Sequence, residues 1–333
     1  MRRRRCLPIE LNLADELLAP LEQLWRQGYV RLEGGVFSAD EIALFRSESD
    51  RLMAQVHPWS ERHANYGPTD YLLPVFGDRD WSVLINLAGR SAAIDRMLEK
   101  LFTHPRIATL LEAILGPGYK AWEISIRRSN AHDDGLRLHQ DAQGEFGLSM
   151  LLLDNPGATG TTVFTPGSHR FPVSARESGA DYLSPKYMSR FVQPASGKAG
   201  DIFLFFKKTW HGRLPSRAPQ PSDALLMGLF PVGDQFLPFR PEAATLQALG
   251  PELQRLLDPA RQLQPVAEGR CIVTDAAGST TYGGPPRLID HLYQPAPLLH
   301  PLRAAKLLGK SLDATHRLVK MVRAIKKRNS ASL

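Results

Sequence analysis

The chain has 333 residues, of which 43% are hydrophobic, enough for one large domain or two modest ones. Its two cysteines, Cys6 and Cys271, are far apart, which excludes a disulfide framework and a zinc-binding cysteine pattern. Four arginines follow Met1, but acidic residues rather than an apolar stretch come next, which argues against a signal peptide. No apolar run approaches the length of a membrane span, so we expect a cytoplasmic protein.

The formal net charge of +7 is concentrated at the two ends of the chain. From residue 301 onward, nine Lys and Arg residues accompany one acid, so this end carries +8, and residues 2–5 carry +4. The body between them is therefore mildly acidic, since +7 less these +12 leaves −5. A body that binds nucleic acid would carry a basic face of its own, so we expect no specific nucleic-acid partner.

The N-terminal region is predicted to form a helix, a short strand and a second helix. Apolar residues recur at helical spacing over 14–27, and 28–32 alternates like a strand. The second helix is predicted over 39–56. Ser38 is its expected N-cap, and Glu41 completes a capping box with it.

A long irregular stretch precedes the next helix. Residues 57–90 contain prolines and several aromatics without clear periodicity, so they form either a functional loop or a well-packed connector. A helix is predicted over 91–115 and ends at Gly116, which opens a Gly-Pro-Gly stop signal. Residues 119–128 then alternate like a strand.

A run of short strands separated by turns is predicted from about 137 to 232. Turn-forming residues occur at 155–157, 166–167 and 197–200. Many short strands with such turns are typical of a jelly roll or barrel-like sandwich. The fold class is therefore mainly β with flanking helices, built on a core at about 119–232.

One candidate metal site lies within this β region. His139 and Asp141 are two residues apart, so on a strand their side chains project to the same face. His211 follows 70 residues after Asp141, enough chain to return to the same place. Two histidines and one carboxylate are the ligand set of non-haem Fe(II) oxygenases. A second H-x-D pair, His132 and Asp134, lies in a polar loop and is the weaker candidate.

The order of the motifs around this site resembles the phytanoyl-CoA dioxygenase family of Fe(II)/2-oxoglutarate oxygenases, over roughly residues 20–232. The motifs are H-x-D at 139–141, an apolar strand at 148–153, P-G-S-H-R at 166–170, G-D-x-x-x-F at 200–205, and Trp210-His211. The resemblance implies a double-stranded β-helix in which His139, Asp141 and His211 bind iron, with 2-oxoglutarate and O2 as co-substrates. His169, within P-G-S-H-R, is predicted to be a hydrogen-bonding turn residue rather than a ligand.

The site for the far carboxylate of 2-oxoglutarate departs from the family. The family places an Arg about ten residues after the distal His, because a planar guanidinium grips a carboxylate with two hydrogen bonds. Ser222 and Asp223 occupy that position here, and we expect an acid there to repel the co-substrate. Besides Ser222, the candidates for this contact are Arg213 and Arg217 in the following loop and Arg127, Arg128 and Arg137 on neighbouring strands.

The leading hypothesis is an Fe(II)- and 2-oxoglutarate-dependent hydroxylase. Halogenating relatives lack the carboxylate ligand, and this chain keeps Asp141, so hydroxylation is expected. The substrate is expected to be a small molecule or a lipid- or glycan-linked compound. The alternatives are a binding or regulatory protein that has lost 2-oxoglutarate turnover, and a cupin-like metal enzyme that does not use 2-oxoglutarate.

The C-terminal part divides into a segment that is hard to interpret and a basic tail. Over 233–300 we predict helical structure at 241–257, a strand at 267–273 and a loop at 280–286, all within an oxygenase domain spanning 1–300. Residues 301–333 are predicted to be a basic amphipathic helix. Its segment 301–328 suits contact with an anionic membrane surface, which would place the enzyme at the inner face of the membrane. The alternatives are docking on the body and an acidic protein or nucleic-acid partner.

Overall fold

The computed structural model describes residues 7–55, 72–73, 81–84, 87–131, 133–141, 145–157, 160–171, 191–216, 222–231, 243–257, 272–274, 280–282 and 287–292. Most of the irregular stretch 57–90, the basic tail 301–333, His132 and Arg217 lie outside the described residues. None of the helices in the described part combines the length and the hydropathy that a bilayer-crossing segment needs.

Six α-helices occur among the described residues. They are α1 (Asp15–Gln27), α2 (Ala39–Gln55), α3 (Ala92–Thr103), α4 (Pro105–Leu115), α5 (Ala243–Ala248) and α6 (Pro251–Leu257). The predicted capping box forms at the start of α2. The Ser38 N–H donates to Glu41 at 2.8 Å, and the Glu41 N–H donates to the Ser38 hydroxyl at 3.2 Å. The sequence prediction for the N-terminal helices is confirmed.

The single helix predicted over 91–115 is wrong, because the chain breaks into α3 and α4 at His104. This residue has an extended conformation, with φ −62° and ψ 122°. Pro105 follows it, and a proline disfavours the helical conformation of the residue before it. The same proline suits the first turn of α4, where its missing N–H is not needed. The predicted stop at Gly116 is confirmed.

The strands of the described residues form three antiparallel sheets. They are β1 (Tyr29–Leu32), β2 (Leu72–Leu73), β3 (Trp81–Leu84), β4 (Lys120–Ser129), β5 (Leu136–His139), β6 (Phe146–Leu151), β7 (Thr162–Phe164), β8 (Gln193–Pro194), β9 (Ile202–Phe206), β10 (His211–Arg213), β11 (Ser222–Phe230), β12 (Ile272–Thr274) and β13 (Thr280–Tyr282). The large sheet has the order β1-β9-β6-β11-β4-β3-β2, the small sheet β5-β10-β7-β8, and β12 pairs with β13. The loop predicted over 280–286 is therefore wrong for its first three residues.

The chain alternates between the large and small sheets as it runs from β4 to β11. Strands β4, β6, β9 and β11 belong to the large sheet, and β5, β7, β8 and β10 belong to the small one. This alternation between two facing antiparallel sheets is the double-stranded β-helix expected from the sequence. It places β5 beside β10, which brings His139 next to His211.

The main hydrophobic core lies between the helices and the outer face of the large sheet. Apolar residues of α1, α3, α4 and α6 pack there against alternate residues of the strands, including Ile202, Leu204 and Phe206 of β9. The intervening Phe203 and Phe205 point the other way and pack towards the small sheet. Because side chains alternate between the two faces of each strand, the inner face of the large sheet remains available to line a cavity.

Gly28, which ends α1, is expected to tolerate no side chain. Its φ is +85°, and an added Cβ would lie 2.3 Å from Thr209 Oγ1 and 2.6 Å from His169 Nδ1. Gly35 is a matched control, since its φ is +87° but its Cβ would meet nothing within 4 Å. We expect Gly35→Ala to lower the free energy of unfolding by about 1–2 kcal/mol, and Gly28→Ala to cost a further ~1–3 kcal/mol from overpacking. Equal losses in urea denaturation would contradict this close approach.

Candidate metal centre

His139, Asp141 and His211 converge at the end of the small sheet, as the H-x-D spacing predicts. His139 is the last residue of β5 and pairs directly with His211, the first of β10. The Nε2 atoms of His139 and His211 lie 3.4 Å and 3.3 Å from the Asp141 carboxylate oxygens. The ligand atoms of the three residues all lie within 4.8 Å of one another, close enough to bind one metal ion.

Backbone carbonyls fix the orientation of both imidazoles. The Nδ1–H of His139 donates to the Arg137 carbonyl, and the Nδ1–H of His211 donates to the Thr209 carbonyl, both at 2.8 Å. Each ring therefore presents Nε2 to the shared centre, which is how outer hydrogen bonds set the tautomer of metal-binding histidines. The Asp141 N–H donates to the Lys207 carbonyl at 3.2 Å, which holds this residue after β5 has ended.

The register of β5 shifts between His139 and Leu136. His211 pairs with His139 and Arg213 pairs with Leu136, so two residues of β5 oppose the single Gly212 of β10. Such a bulge turns both flanking side chains to the same side of the strand. Leu136 and His139 accordingly both line the cavity beside the metal centre.

The charges of the site favour binding of a divalent cation. Burial, and after it the neighbouring His211, lowers the pKa of His139 to about 4, so the imidazole is neutral at pH 7. Burial alone would raise the pKa of Asp141, but the contact with His211 and the charge of Lys207 together hold it below its usual range. Neutral imidazoles and an ionised carboxylate are the protonation states that metal ligands require. The donor set therefore fits Fe(II).

Lys207 forms an ion pair with the carboxylate of Asp141. Its Nζ lies 2.7 Å from Asp141 and 3.0 Å from Glu145, and only 12% of the Lys207 side chain is exposed. One lysine thus bridges the carboxylate of Asp141 and that of the buried Glu145. Sequence reasoning missed this pair, although Lys207 lies four residues before His211.

The P-G-S-H-R turn holds the backbone that leads into His211. The Ser168 hydroxyl accepts the Trp210 N–H at 2.8 Å and donates to the Thr165 carbonyl at 2.7 Å. His169 is fully buried and lies 3.0 Å from the Trp25 carbonyl, so it takes the hydrogen-bonding turn role predicted for it. The motif therefore ties the end of α1 to Trp210, the residue before His211.

Ser168→Ala is expected to weaken metal binding as well as the fold. The buried Trp210 N–H loses its acceptor, which costs about 1–3 kcal/mol of stability, and His211 loses support that is worth about 10-fold in metal affinity. Ser49→Ala is the control, since Ser49 is equally buried and donates to Phe45 within α2, away from the site. Urea denaturation and Fe(II) titration measure both quantities. Unchanged metal affinity in Ser168→Ala would show that the turn does not position His211.

A cavity of about 360 Å³ opens beside the metal centre. It is lined by the three ligands and by Arg127, Leu136, Glu145, Leu148, Thr162, Phe205, Lys207, Gly212, Arg213, Leu226 and Met227. Of the candidates for the 2-oxoglutarate carboxylate, Arg127 and Arg213 thus lie at the cavity. Arg137 is exposed and does not line it, and the Ser222 hydroxyl accepts a hydrogen bond from Asn155 at 3.0 Å outside it.

Arg213 forms an ion pair with Asp133, an acid that the sequence analysis did not identify as a candidate. Its Nη2 lies 2.8 Å from Asp133, which is fully buried. Asp133 is 80 residues away in sequence and sits between the two members of the second H-x-D pair. Asp134 of that pair is exposed. Among the described residues, potential metal ligands converge only at the centre formed by the two histidines and the aspartate described above.

Asp223 does not face the cavity, so the expected repulsion of the co-substrate is wrong. The side chain is 1% exposed and lies on the helix-covered face of β11, together with Leu225 and Met227. Its two oxygens accept hydrogen bonds from Arg128 Nε at 2.9 Å and Nη2 at 2.6 Å. Arg128, proposed as a co-substrate contact, is therefore a structural partner on the opposite face.

Solved structures with the same fold support this architecture. The 2-oxoglutarate-dependent epimerase SnoN from nogalamycin biosynthesis matches with a TM-score of 0.51 and 20% identity, over 76% of this chain and 94% of that one. HygX from Streptomyces hygroscopicus, with nickel, 2-oxoglutarate and hygromycin B bound, matches with a TM-score of 0.52 and 16% identity, over 72% of this chain and 96% of that one. EctD from S. alaskensis, with 2-oxoglutarate and 5-hydroxyectoine, matches with a TM-score of 0.50 and 20% identity, over 71% of this chain and 84% of that one.

The family follows from the sequence match. Among curated proteins, no relative matches significantly. The family model of phytanoyl-CoA dioxygenase matches residues 24–221, which is more than half of the chain and lies within the predicted 20–232. The chain belongs to the phytanoyl-CoA dioxygenase family of Fe(II)/2-oxoglutarate-dependent oxygenases.

Proposed function

We propose that this protein is an Fe(II)- and 2-oxoglutarate-dependent hydroxylase of a small-molecule substrate. The observation that carries the proposal is the convergence of His139, Asp141 and His211 beside a cavity of about 360 Å³. Three protein ligands on one side of an iron ion leave its other positions available for a co-substrate and O2. The family match supports this cofactor pair, as do the Fe3+ and alpha-ketoglutarate bound in a SnoN structure and the 2-oxoglutarate bound in HygX.

The residues of the chain supply binding, orientation and exclusion of water. When bound, iron and 2-oxoglutarate activate O2, and the overall reaction converts R–H, 2-oxoglutarate and O2 into R–OH, succinate and CO2. His139 and His211 bind through Nε2, and Lys207 holds the Asp141 carboxylate in place. The apolar side chains of Leu136 and Phe205 line the cavity and limit the access of water.

Hydroxylation is the outcome that the ligand set favours. Halogenating relatives lack the carboxylate ligand, whereas this chain carries Asp141 beside the two histidines. A second candidate is a metal-binding protein that does not turn over 2-oxoglutarate, including a cupin-like enzyme with other chemistry. That candidate is favoured by Ser222, which stands where the family places its carboxylate-binding Arg.

The two candidates differ in 2-oxoglutarate turnover. We expect the Fe(II)-loaded protein, with ascorbate as the reductant that takes up the second oxygen atom, to convert 2-oxoglutarate and O2 into succinate, CO2 and water. Mass spectrometry of the reaction detects succinate, and the His211→Ala protein is the control for metal-free background. A wild-type protein that binds iron but forms no succinate above that background would favour the second candidate.

The substrate and the basic tail are proposed together. HygX and EctD hold hygromycin B and 5-hydroxyectoine, which supports a small-molecule substrate for this fold. We propose that residues 1–300 form the oxygenase domain and that the segment 301–328 holds it reversibly at an anionic surface of the inner membrane face. Each basic residue near such a surface contributes about 1 kcal/mol. A membrane position suits a lipid- or glycan-linked substrate.

Co-sedimentation with vesicles tests the membrane proposal. The full-length protein is expected to pellet with vesicles that contain phosphatidylserine and to remain soluble with neutral phosphatidylcholine vesicles. Added salt should release it, because screening weakens charge attraction between exposed groups. Recovery in the supernatant with both vesicle types at low salt would rule out the anchor and leave docking of the tail on the body.

A further inference from the structure

We propose that Arg127 binds the far carboxylate of 2-oxoglutarate, in place of the arginine that the family carries after its distal histidine. This inference rests on the proposed function, because it assigns a residue to the co-substrate of that reaction. It moves the carboxylate contact from β11 to the neighbouring strand β4.

The pairing of β4 with β11 places Arg127 next to the vacated position. Arg127 pairs with Ala224, and Ser129 pairs with Ser222, so Arg127 lies one strand across and two residues further into the sheet. The small side chain of Ala224 leaves room beside it for the guanidinium.

The alternation of β4 directs Arg127 towards the metal centre. Ile124 and Ile126 belong to the core under the helices, so the intervening odd-numbered residues face the opposite side of the sheet. Arg127 accordingly lines the cavity with His139, Asp141 and His211. Arg127 therefore reaches the cavity from β4, on the face of the large sheet that also carries Ser222 and Ala224.

The other described arginines that sequence reasoning considered are positioned for different contacts. Arg128 is held by Asp223 with hydrogen bonds of 2.9 Å and 2.6 Å on the outer face. Arg213 lines the cavity, but it forms a buried ion pair with Asp133 that offsets its charge. The side chain of Arg137 is exposed. Arg127 is thus favoured by its strand, its face and its place in the cavity wall.

The chemistry of the cavity suits one dicarboxylate. A planar guanidinium gives a carboxylate two parallel hydrogen bonds. The acids of the cavity wall, Asp141 and Glu145, are both paired with Lys207 at the metal end. The keto acid end of the co-substrate would meet the metal, and its other carboxylate would meet Arg127 across apolar walls that include Leu226.

The test compares two keto acids that differ only in the far carboxylate. Anaerobic Fe(II)-loaded protein is titrated with 2-oxoglutarate and with 2-oxopentanoate, which has a methyl group in its place, and each Kd is taken from the visible band of the chelate. We expect the wild type to prefer 2-oxoglutarate by about 10- to 100-fold, the range for charge-assisted hydrogen bonds. In Arg127→Gln this preference should fall to within a few-fold, with the Kd for 2-oxopentanoate unchanged.

Two further variants make the result specific. Arg137→Gln, an exposed arginine outside the cavity, should keep the full preference, and Arg127→Lys should retain part of it. Because both ligands are compared on the same preparation, a loss of folded protein does not alter the ratio. A full preference in Arg127→Gln would overturn this assignment and leave the oxygenase proposal intact. A wild type that shows no band with either keto acid would instead overturn the proposed function, and this inference with it.

Discussion

His139→Ala is expected to lower the affinity of the protein for Fe(II) by at least about 100-fold, since loss of an outer hydrogen-bond partner alone costs 10- to 100-fold. The variant leaves Asp141 and His211 as two ligands on one side of the site. The imidazole of His139 is neutral and fixed through Nδ1, so its Nε2 is ready to bind without rearrangement. Its removal therefore deletes a preformed ligand rather than a flexible one.

Anaerobic calorimetric titration with Fe(II) measures this loss, and Co(II) serves as an oxygen-stable substitute. His104→Ala is the matched control, because His104 lies between α3 and α4 and is not part of the site. Its affinity should equal that of the wild type. If His139→Ala bound iron as tightly as the control, the metal would have to be held elsewhere.

Arg128→Met is expected to lower the free energy of unfolding by about 3–5 kcal/mol, the usual cost of breaking a buried ion pair from one side. The variant leaves the Asp223 carboxylate buried, at 1% exposure, with neither of its two arginine hydrogen bonds. Arg128 also contacts Asp50 of α2 at 2.5 Å, so the same guanidinium joins the large sheet to a helix. The large effect follows from the uncompensated charge rather than from lost contact area.

Urea denaturation of Arg128→Met measures this stability, with Arg51→Met as the control. Arg51 forms an exposed ion pair with Glu48, a type worth about 0–1 kcal/mol. The double variant Arg128→Met, Asp223→Leu should recover most of the loss, because it removes both charges. Where Arg128→Met still folds, its Fe(II) affinity should be unchanged, since the pair lies on the face away from the cavity. A loss no larger than that of Arg51→Met would contradict the buried pair.

The candidate metal centre was predictable from a local spacing together with the order of the family's motifs. The two-residue spacing placed His139 and Asp141 side by side, the motif order added His211, and the structure brings the three side chains together. The bulge in β5 was not predictable, because it depends on how β5 pairs with β10. The break at His104, in contrast, could have been predicted from the proline that follows it.

The buried position of Asp223 could have been predicted from the alternation of side chains along β11. Asp223, Leu225 and Met227 share one face of β11 by the alternation of a strand, and the two apolar residues indicate that this face is buried. A carboxylate on it needed a cationic partner. The partner itself depends on strand register, as does the pairing of Asp133 with Arg213 across 80 residues, and neither has a signal in the local sequence.

The most direct test of the metal centre is the anaerobic addition of 2-oxoglutarate to the Fe(II)-loaded wild-type protein. We predict a visible charge-transfer band that saturates at one 2-oxoglutarate per iron and that is absent from His139→Ala. Such a band requires the metal to keep adjacent positions free for the keto acid, as the arrangement of His139, Asp141 and His211 allows. Iron binding without any band would contradict the oxygenase assignment and favour a metal-binding protein that does not use 2-oxoglutarate.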